Sequence, residues 1–307
     1  MPPASTDSEE QWFGERERVG LEQRIQVRRV LYEGRSDYQS IRVLDTVPFG
    51  RALILDTALQ TTETDEFIYH EMMVHPALIS LAQPERVLIV GGGDGGCLRR
   101  ALEHPLREVV QVELDRAVVE ACRRYLPQVS SGAFDDPRLH LVFADGYEFV
   151  EKAHGLFDAV IVDLTDPLPS GPSFRLFGAE FYRAVRRILK KEGLMVTQSS
   201  SPLLLTDELL RIYANLKAVF PLVRVCLVLV PSYPGVLWSF TLASGGNDPL
   251  ALDEATVRQR LEARGIFPRY YSPQMHLASF ALPPFLADLL AEPERFQDLK
   301  AAQPVAQ

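Results

Sequence analysis

The chain has 307 residues, 47% of them apolar, enough for a substantial core in one large or two modest domains. Its 41 acidic and 32 basic side chains give a formal charge of −9, which repels nucleic acid and favours encounter with cations. There is no run of about 18 uncharged apolar residues, and the start MPPASTDSEEQWFGERE is acidic and polar, so neither a membrane span nor a secretion signal is expected.

In chain order, residues 1–15 are polar and read as a frayed tail, as do the Ala/Gln/Pro-rich residues 296–307. From Arg24 to about Thr62, short alternating runs (RIQVRRVLYEG, YQSIRVLDT, GRALILDTALQTT) broken by turn residues predict a small antiparallel sheet, the core of an N-terminal β-domain over 16–65. From Glu66 the pattern changes to alternating helices and strands, a catalytic domain over 66–295. Helices are predicted near 66–82, 95–103, 115–125, 146–152, 178–190 and 206–219. Strands are predicted at 86–90, 108–113, 139–143, 157–162, 193–198, 223–230 and 237–243. Such alternation predicts an α/β fold, a mostly parallel sheet covered on both faces. The last two strands are joined by only Pro-Ser-Tyr-Pro-Gly, too short for a crossover helix, and should pair antiparallel. Three cysteines, Cys97, Cys122 and Cys226, lack metal-ligand spacing and read as buried thiols in a reducing, cytoplasmic setting.

The run RVLIVGGGDGG carries the most chemistry. Gly91, Gly93 and Gly96 satisfy G-x-G-x-x-G directly after a strand, and Glu113 ends the next strand, where an acid can bond ribose hydroxyls. Asp94 inside the loop is a poor neighbour for a pyrophosphate and a good one for a cation, which counts against a dinucleotide. In open parallel sheets the ligand lies beyond the carboxyl ends of the strands. Asp94, Glu113, Asp145-Gly146, Asp163, Asp166 and Gln198 all fall there. A single aspartate such as Asp145 is adequately explained as a helix N-cap, but five carboxylates on one rim call for a ligand.

That ligand is either a metal ion or an organic cation. A hard metal requires oxygen donors from several well-defined directions, so no metal site is assigned. A sulfonium nucleoside satisfies the whole rim, with Glu113 and Asp145 toward ribose and adenine and Asp94, Asp163 and Asp166 toward positive nitrogen or sulfur. If Asp94 lies where S-adenosylmethionine places its carboxylate, like-charge repulsion disfavours that donor and favours its decarboxylated form. In FDAVIVDLTDP, Asp163 and Asp166 follow a buried strand, and an attacking amine, protonated at neutral pH, needs a carboxylate to take its proton. Transfer of an alkyl group from sulfur to an amine is the chemistry this arrangement permits. A methyltransferase and a protein that binds an organic cation without catalysis are the competing readings.

These residues resemble the polyamine aminopropyltransferase family, the spermidine synthases among them. The matching segments are YQSI at 38–41, LQTTETDEFIYHEM at 59–72, GGGDGG at 91–96, VEL at 112–114, ADG at 144–146, DLTDP at 163–167 and PSYPGVLWSF at 231–240, spread over roughly residues 20–290. The resemblance implies a small β-domain followed by a seven-stranded methyltransferase-like sheet. It makes Asp163 the proton acceptor and Asp166 the carboxylate that orients the acceptor amine. Asp94 is placed on the aminopropyl nitrogen, Glu113 on the ribose and Asp145-Gly146 on the adenine, with Gly91 and Gly93 in the nucleoside loop. Gln39 and His70 approach the donor or polyamine, and Tyr69, Gln198, Tyr233 and Trp238 line the acceptor channel. Decarboxylated S-adenosylmethionine is then a co-substrate and no cofactor is expected. The partners are small molecules, with neither nucleic acid nor membrane, and the chain is expected to form a homodimer or homotetramer.

Two features depart from the usual pattern. Leu164 stands where many spermidine synthases carry serine, and the loop LPSGPSFRLF is about two residues longer than in them, placing the nucleoside-contacting proline of the resemblance at Pro172. Both favour agmatine or a longer polyamine as acceptor, whereas PSYPGVLWSF favours putrescine.

Overall fold

The structure, a computed structural model, describes residues 11–18, 20–167, 171 and 173–293. Five antiparallel strands come first: β1 (Gln11–Arg18), β2 (Leu21–Arg35), β3 (Ser40–Thr46), β4 (Gly50–Leu55) and β5 (Ala58–Thr62), paired in chain order. Burial alternates along them, as in β3 with Ile41 and Val43 inward, the period-two signature of a sheet with one covered face. The N-terminal sheet begins at Gln11, so residues 11–15, read above as tail, are strand. Phe13 sits opposite Ile25 of β2 and is buried, and Glu15 is buried as well. The four charges in QWFGERER hide this alternation from a hydropathy reading.

The second domain is a seven-stranded sheet in the order β11-β12-β10-β9-β6-β7-β8. Its strands are β6 (Arg86–Gly91), β7 (Glu108–Glu113), β8 (Leu139–Phe143), β9 (Phe157–Asp163), β10 (Leu189–Gln198), β11 (Leu222–Leu229) and β12 (Leu237–Ser244). β8, β7, β6, β9 and β10 are parallel, while β12 runs antiparallel to both β10 and β11, as the short connection requires. Helices α1 (Glu66–Ser80), α2 (Gly96–Leu102), α3 (Arg116–Tyr125) and α4 (Pro127–Ser130) precede β8, and α5 (Gly146–Lys152), α6 (Ala179–Ile188) and α7 (Thr206–Lys217) follow it. Three more, α8 (Glu254–Arg264), α9 (Pro273–Ala278) and α10 (Pro284–Ala291), lie beyond the last expected element. β10 takes up Leu189 to Glu192, partly expected as helix, through a register irregularity between Leu189 and Leu194.

Each sheet face has its own core. Met72, Met73, Leu78 and Ile79 of α1 pack with Ile89, Ile161 and Val196, while Phe181, Tyr182 and Val185 of α6 pack with Leu88, Val160 and Met195. α1 is buried on nearly all sides, which accounts for its apolar sequence without a polar stripe. All three cysteines are free and buried. No helix among the described residues is long and apolar enough to cross a membrane. The strand order reverses between β6 and β9, so the crevice at their carboxyl ends is the switch point where α/β sheets take ligands.

Candidate active site

Gly91 ends β6 directly opposite Asp163, which ends β9. Its φ of +85° is left-handed, and a Cβ there would lie 2.1 Å from the Asp163 carbonyl oxygen, so only glycine lets the loop lie against the end of β9. The Gly92 N–H donates to that carbonyl at 2.9 Å. A cleft open to solvent begins here. All five rim carboxylates line it, together with Gln39, Tyr69, His70, Gly91, Gly93, Gly146, Gln198, Tyr233 and Trp238. Pro172 lies outside the described residues.

At the cleft centre, the Tyr69 hydroxyl donates to Asp163 Oδ1 at 2.9 Å. Burial and the neighbouring Asp94 charge raise the Asp163 carboxyl above its usual range, toward the proton affinity a base needs near neutral pH. Asp94 accepts the Gly96 N–H at 2.8 Å on Oδ1 and faces His70 Nε2 at 3.3 Å through Oδ2. His70 Nδ1 meets Glu66 Oε2 at 2.8 Å, and Glu66 Oε1 pairs with Arg99 at 2.5 Å. Burial opposes charge on His70, but Asp94 and Glu66 outweigh it and hold the imidazole up at about 10, so it is an imidazolium. With both nitrogens on carboxylates, the His70 imidazole lines the cleft wall between Asp94 and Glu66. A Cβ on Gly96 would lie 2.1 Å from His70 Cε1, so the third motif glycine makes room for the imidazole. His70, Cys97 and Asp163 offer ligand atoms within 4.8 Å of one another, but both His70 nitrogens are already committed.

At the β7 end of the cleft, Glu113 Oε1 accepts the Asp115 N–H at 2.9 Å, and a Cβ on Gly93 would lie 3.0 Å from Glu113 Oε2. Asp115 caps α3 and accepts Ser36 Oγ at 2.6 Å and Gln39 Nε2 at 3.0 Å, tying the loop before β3 to the large domain. Asp145 caps α5 through Glu148 N at 3.0 Å and pairs with Arg175 at 2.6 Å. Its carboxylate therefore has structural duties as well as a place on the cleft wall.

Withdrawal from water pushes Glu113 up to about 7. A ribose hydroxyl donating to the carboxylate would lower that value in the complex, so affinity should rise with pH up to about 7 and level off above it. Calorimetric titration of methylthioadenosine between pH 5.5 and 8.5 tests this. A flat profile would remove Glu113 from the ribose contact.

Residues 66–251 match the family model of the spermine/spermidine synthase domain, and residues 11–63 that of the spermidine synthase tetramerisation domain. The polyamine aminopropyltransferase of Desulforudis audaxviator (strain MP104C) is 44% identical over 278 residues, covering 90% of this chain and 98% of its own. The chain belongs to the polyamine aminopropyltransferase family. The aminopropyltransferase of Moorella thermoacetica is 42% identical over 284 residues, 92% of this chain and 97% of its own. The crystal structure of spermidine synthase from Thermotoga maritima has a TM-score of 0.86 at 37% identity, covering 92% of this chain and 95% of that one. A spermidine synthase crystallised with the transition-state analogue AdoDATO gives 0.87 at 38% identity with the same coverage.

In this aminopropyltransferase the far end of the cleft is aromatic. Tyr233 lies 5.8 Å from Tyr69 and 4.9 Å, edge to face, from Trp238, and its hydroxyl donates to the Gln60 carbonyl at 2.6 Å. Gln198 Nε2 donates to Asp166 Oδ1 at 3.1 Å. Leu164 lines the same cleft. Two participants escaped the sequence reading. Glu15 lines the cleft from β1 and accepts the Leu59 N–H at 3.2 Å, but it fell within the supposed tail. Glu66 supports His70, and its signal was an acid four residues before a histidine on one helix.

Proposed function

We propose that the chain transfers the aminopropyl group of decarboxylated S-adenosylmethionine to putrescine, giving spermidine and methylthioadenosine, with the nucleoside as co-substrate and no further cofactor. The observation that carries this reading is the grouping of Asp94, Asp163 and Asp166 in one cleft with Glu113 and Asp145. Asp94, backed by His70, holds the donor amine. Asp163 takes a proton from the acceptor ammonium group, the freed nitrogen lone pair attacks the carbon next to the sulfonium, and the C–S electron pair leaves on sulfur as a neutral thioether. Tyr69 holds Asp163 in place, Asp166 takes the acceptor amine, and Glu15 faces its far ammonium group.

The aromatic end favours putrescine, because a longer amine must displace Trp238 or Tyr233. Offered putrescine, agmatine, cadaverine and spermidine together, the enzyme should use putrescine with kcat/KM about tenfold or more above spermidine. Agmatine or spermidine winning would give the weight to Leu164 and the long loop instead. A methyltransferase reading is disfavoured by Asp94, and a binding protein would have no use for Glu113 and Asp145 in the same cleft. Self-association through the N-terminal sheet belongs to the same proposal, and a solution mass equal to one 34.5 kDa chain would contradict it.

A further inference from the structure

We propose that Ser200 is a positioning residue for the acceptor amine: fixed in a left-handed backbone conformation two residues beyond β10, it holds one Asp166 oxygen from behind and leaves the other for the ammonium group. This rests on the reading of Asp166 as the acceptor carboxylate. Ser200 has φ of +61°, a conformation that disfavours residues with a Cβ, and it is fully buried. Such strain persists only where the surroundings impose it. Here the Ser200 N–H donates to Gln198 Oε1 at 2.9 Å, and its carbonyl accepts both the N–H of Ser239 at 3.1 Å and the Ser239 hydroxyl at 2.8 Å. Both ends of the residue are therefore clamped, one by Gln198 and one by β12, the strand that also carries Trp238.

The clamped conformation brings the Ser200 hydroxyl to Asp166 Oδ1 at 3.3 Å, beside Gln198 Nε2 at 3.1 Å, while Ser173 Oγ holds the Asp166 carbonyl at 3.0 Å. Two donors converge on Oδ1 and, among the described residues, none is within hydrogen-bond distance of Oδ2. Burial raises the Asp166 carboxyl, and the Gln198 and Ser200 hydrogen bonds counter it, favouring the ionised form that an ammonium group needs. Gln198 is part of the cleft wall, whereas Ser200 stands behind it, its N–H on Gln198 and its hydroxyl on Asp166.

Steady-state kinetics on the full chain with separately varied donor and putrescine, for Ser200→Gly, Ser200→Ala and Asp166→Asn, test the assignment. Both serine variants should raise the amine KM about tenfold, lower kcat far less and leave the donor KM in place. The glycine variant should melt above the alanine variant, because only glycine takes this φ without strain. An equal kinetic defect at two stabilities then belongs to the lost hydroxyl. A wild-type amine KM in Ser200→Gly, with a raised one in Asp166→Asn, would overturn the role of Ser200 alone. A defect present in Ser200→Ala and absent in Ser200→Gly would overturn it too, by tracing the effect to stability. An unchanged amine KM in Asp166→Asn would overturn both Ser200 and the reading of Asp166.

Discussion

Asp163→Asn is expected to lower turnover by roughly 10²-fold or more while methylthioadenosine still binds, the loss typical of removing a positioned base. The substitution is isosteric, and the amide oxygen can still accept the Tyr69 hydroxyl that meets Oδ1 at 2.9 Å, so the change is chemical. Without a carboxylate at the end of β9, the attacking amine has no acceptor for the proton it must lose. The sign of the pH effect follows from burial and the Asp94 charge, which raise the Asp163 carboxyl. Turnover should fall as pH drops through that raised value, on an acid limb shared by the interacting pair. The variant should lack this limb. Near-normal turnover in a folded variant, by single-turnover assay, would move the base elsewhere.

The second large effect is on donor choice. Asp94→Asn should weaken decarboxylated S-adenosylmethionine and reduce its advantage over the intact nucleoside by at least about tenfold, because the variant loses an attraction for the amine and a repulsion toward the carboxylate. His70 sharpens the expectation. It is charged because Asp94 and Glu66 flank it, at 3.3 and 2.8 Å, so removing one partner also lowers its proton affinity. Parallel titrations of the two nucleosides into wild type and variant measure the ratio directly. An unchanged ratio would mean that Asp94 does not read the donor.

The rim was legible because its chemistry sits at predictable places. Carboxylates at the ends of apolar strands point to one edge of a parallel sheet, and the strand order puts β6 and β9 side by side there. The supports were not legible, because they depend on distant contacts. Glu15 arrives on a charge-rich strand whose only inward apolar side chain is Phe13. Asp115 reads as an ordinary N-cap until Ser36 and Gln39 are seen to bond it. Asp145 illustrates the reverse: the N-cap explanation set aside for the rim as a whole holds at this position, and its ion pair with Arg175 spans thirty positions of sequence and has no local signal. The left-handed turn at Ser200 gives none either, since three serines in a row do not announce which one carries a positive φ.

The most direct measurement is the mass of the product formed when the purified chain meets an amine with each sulfonium donor in turn. With decarboxylated S-adenosylmethionine and putrescine, spermidine and methylthioadenosine should form in equal amounts, and intact S-adenosylmethionine should yield no transfer. A methylated amine with S-adenosylhomocysteine, or no reaction with either donor, would contradict aminopropyl transfer.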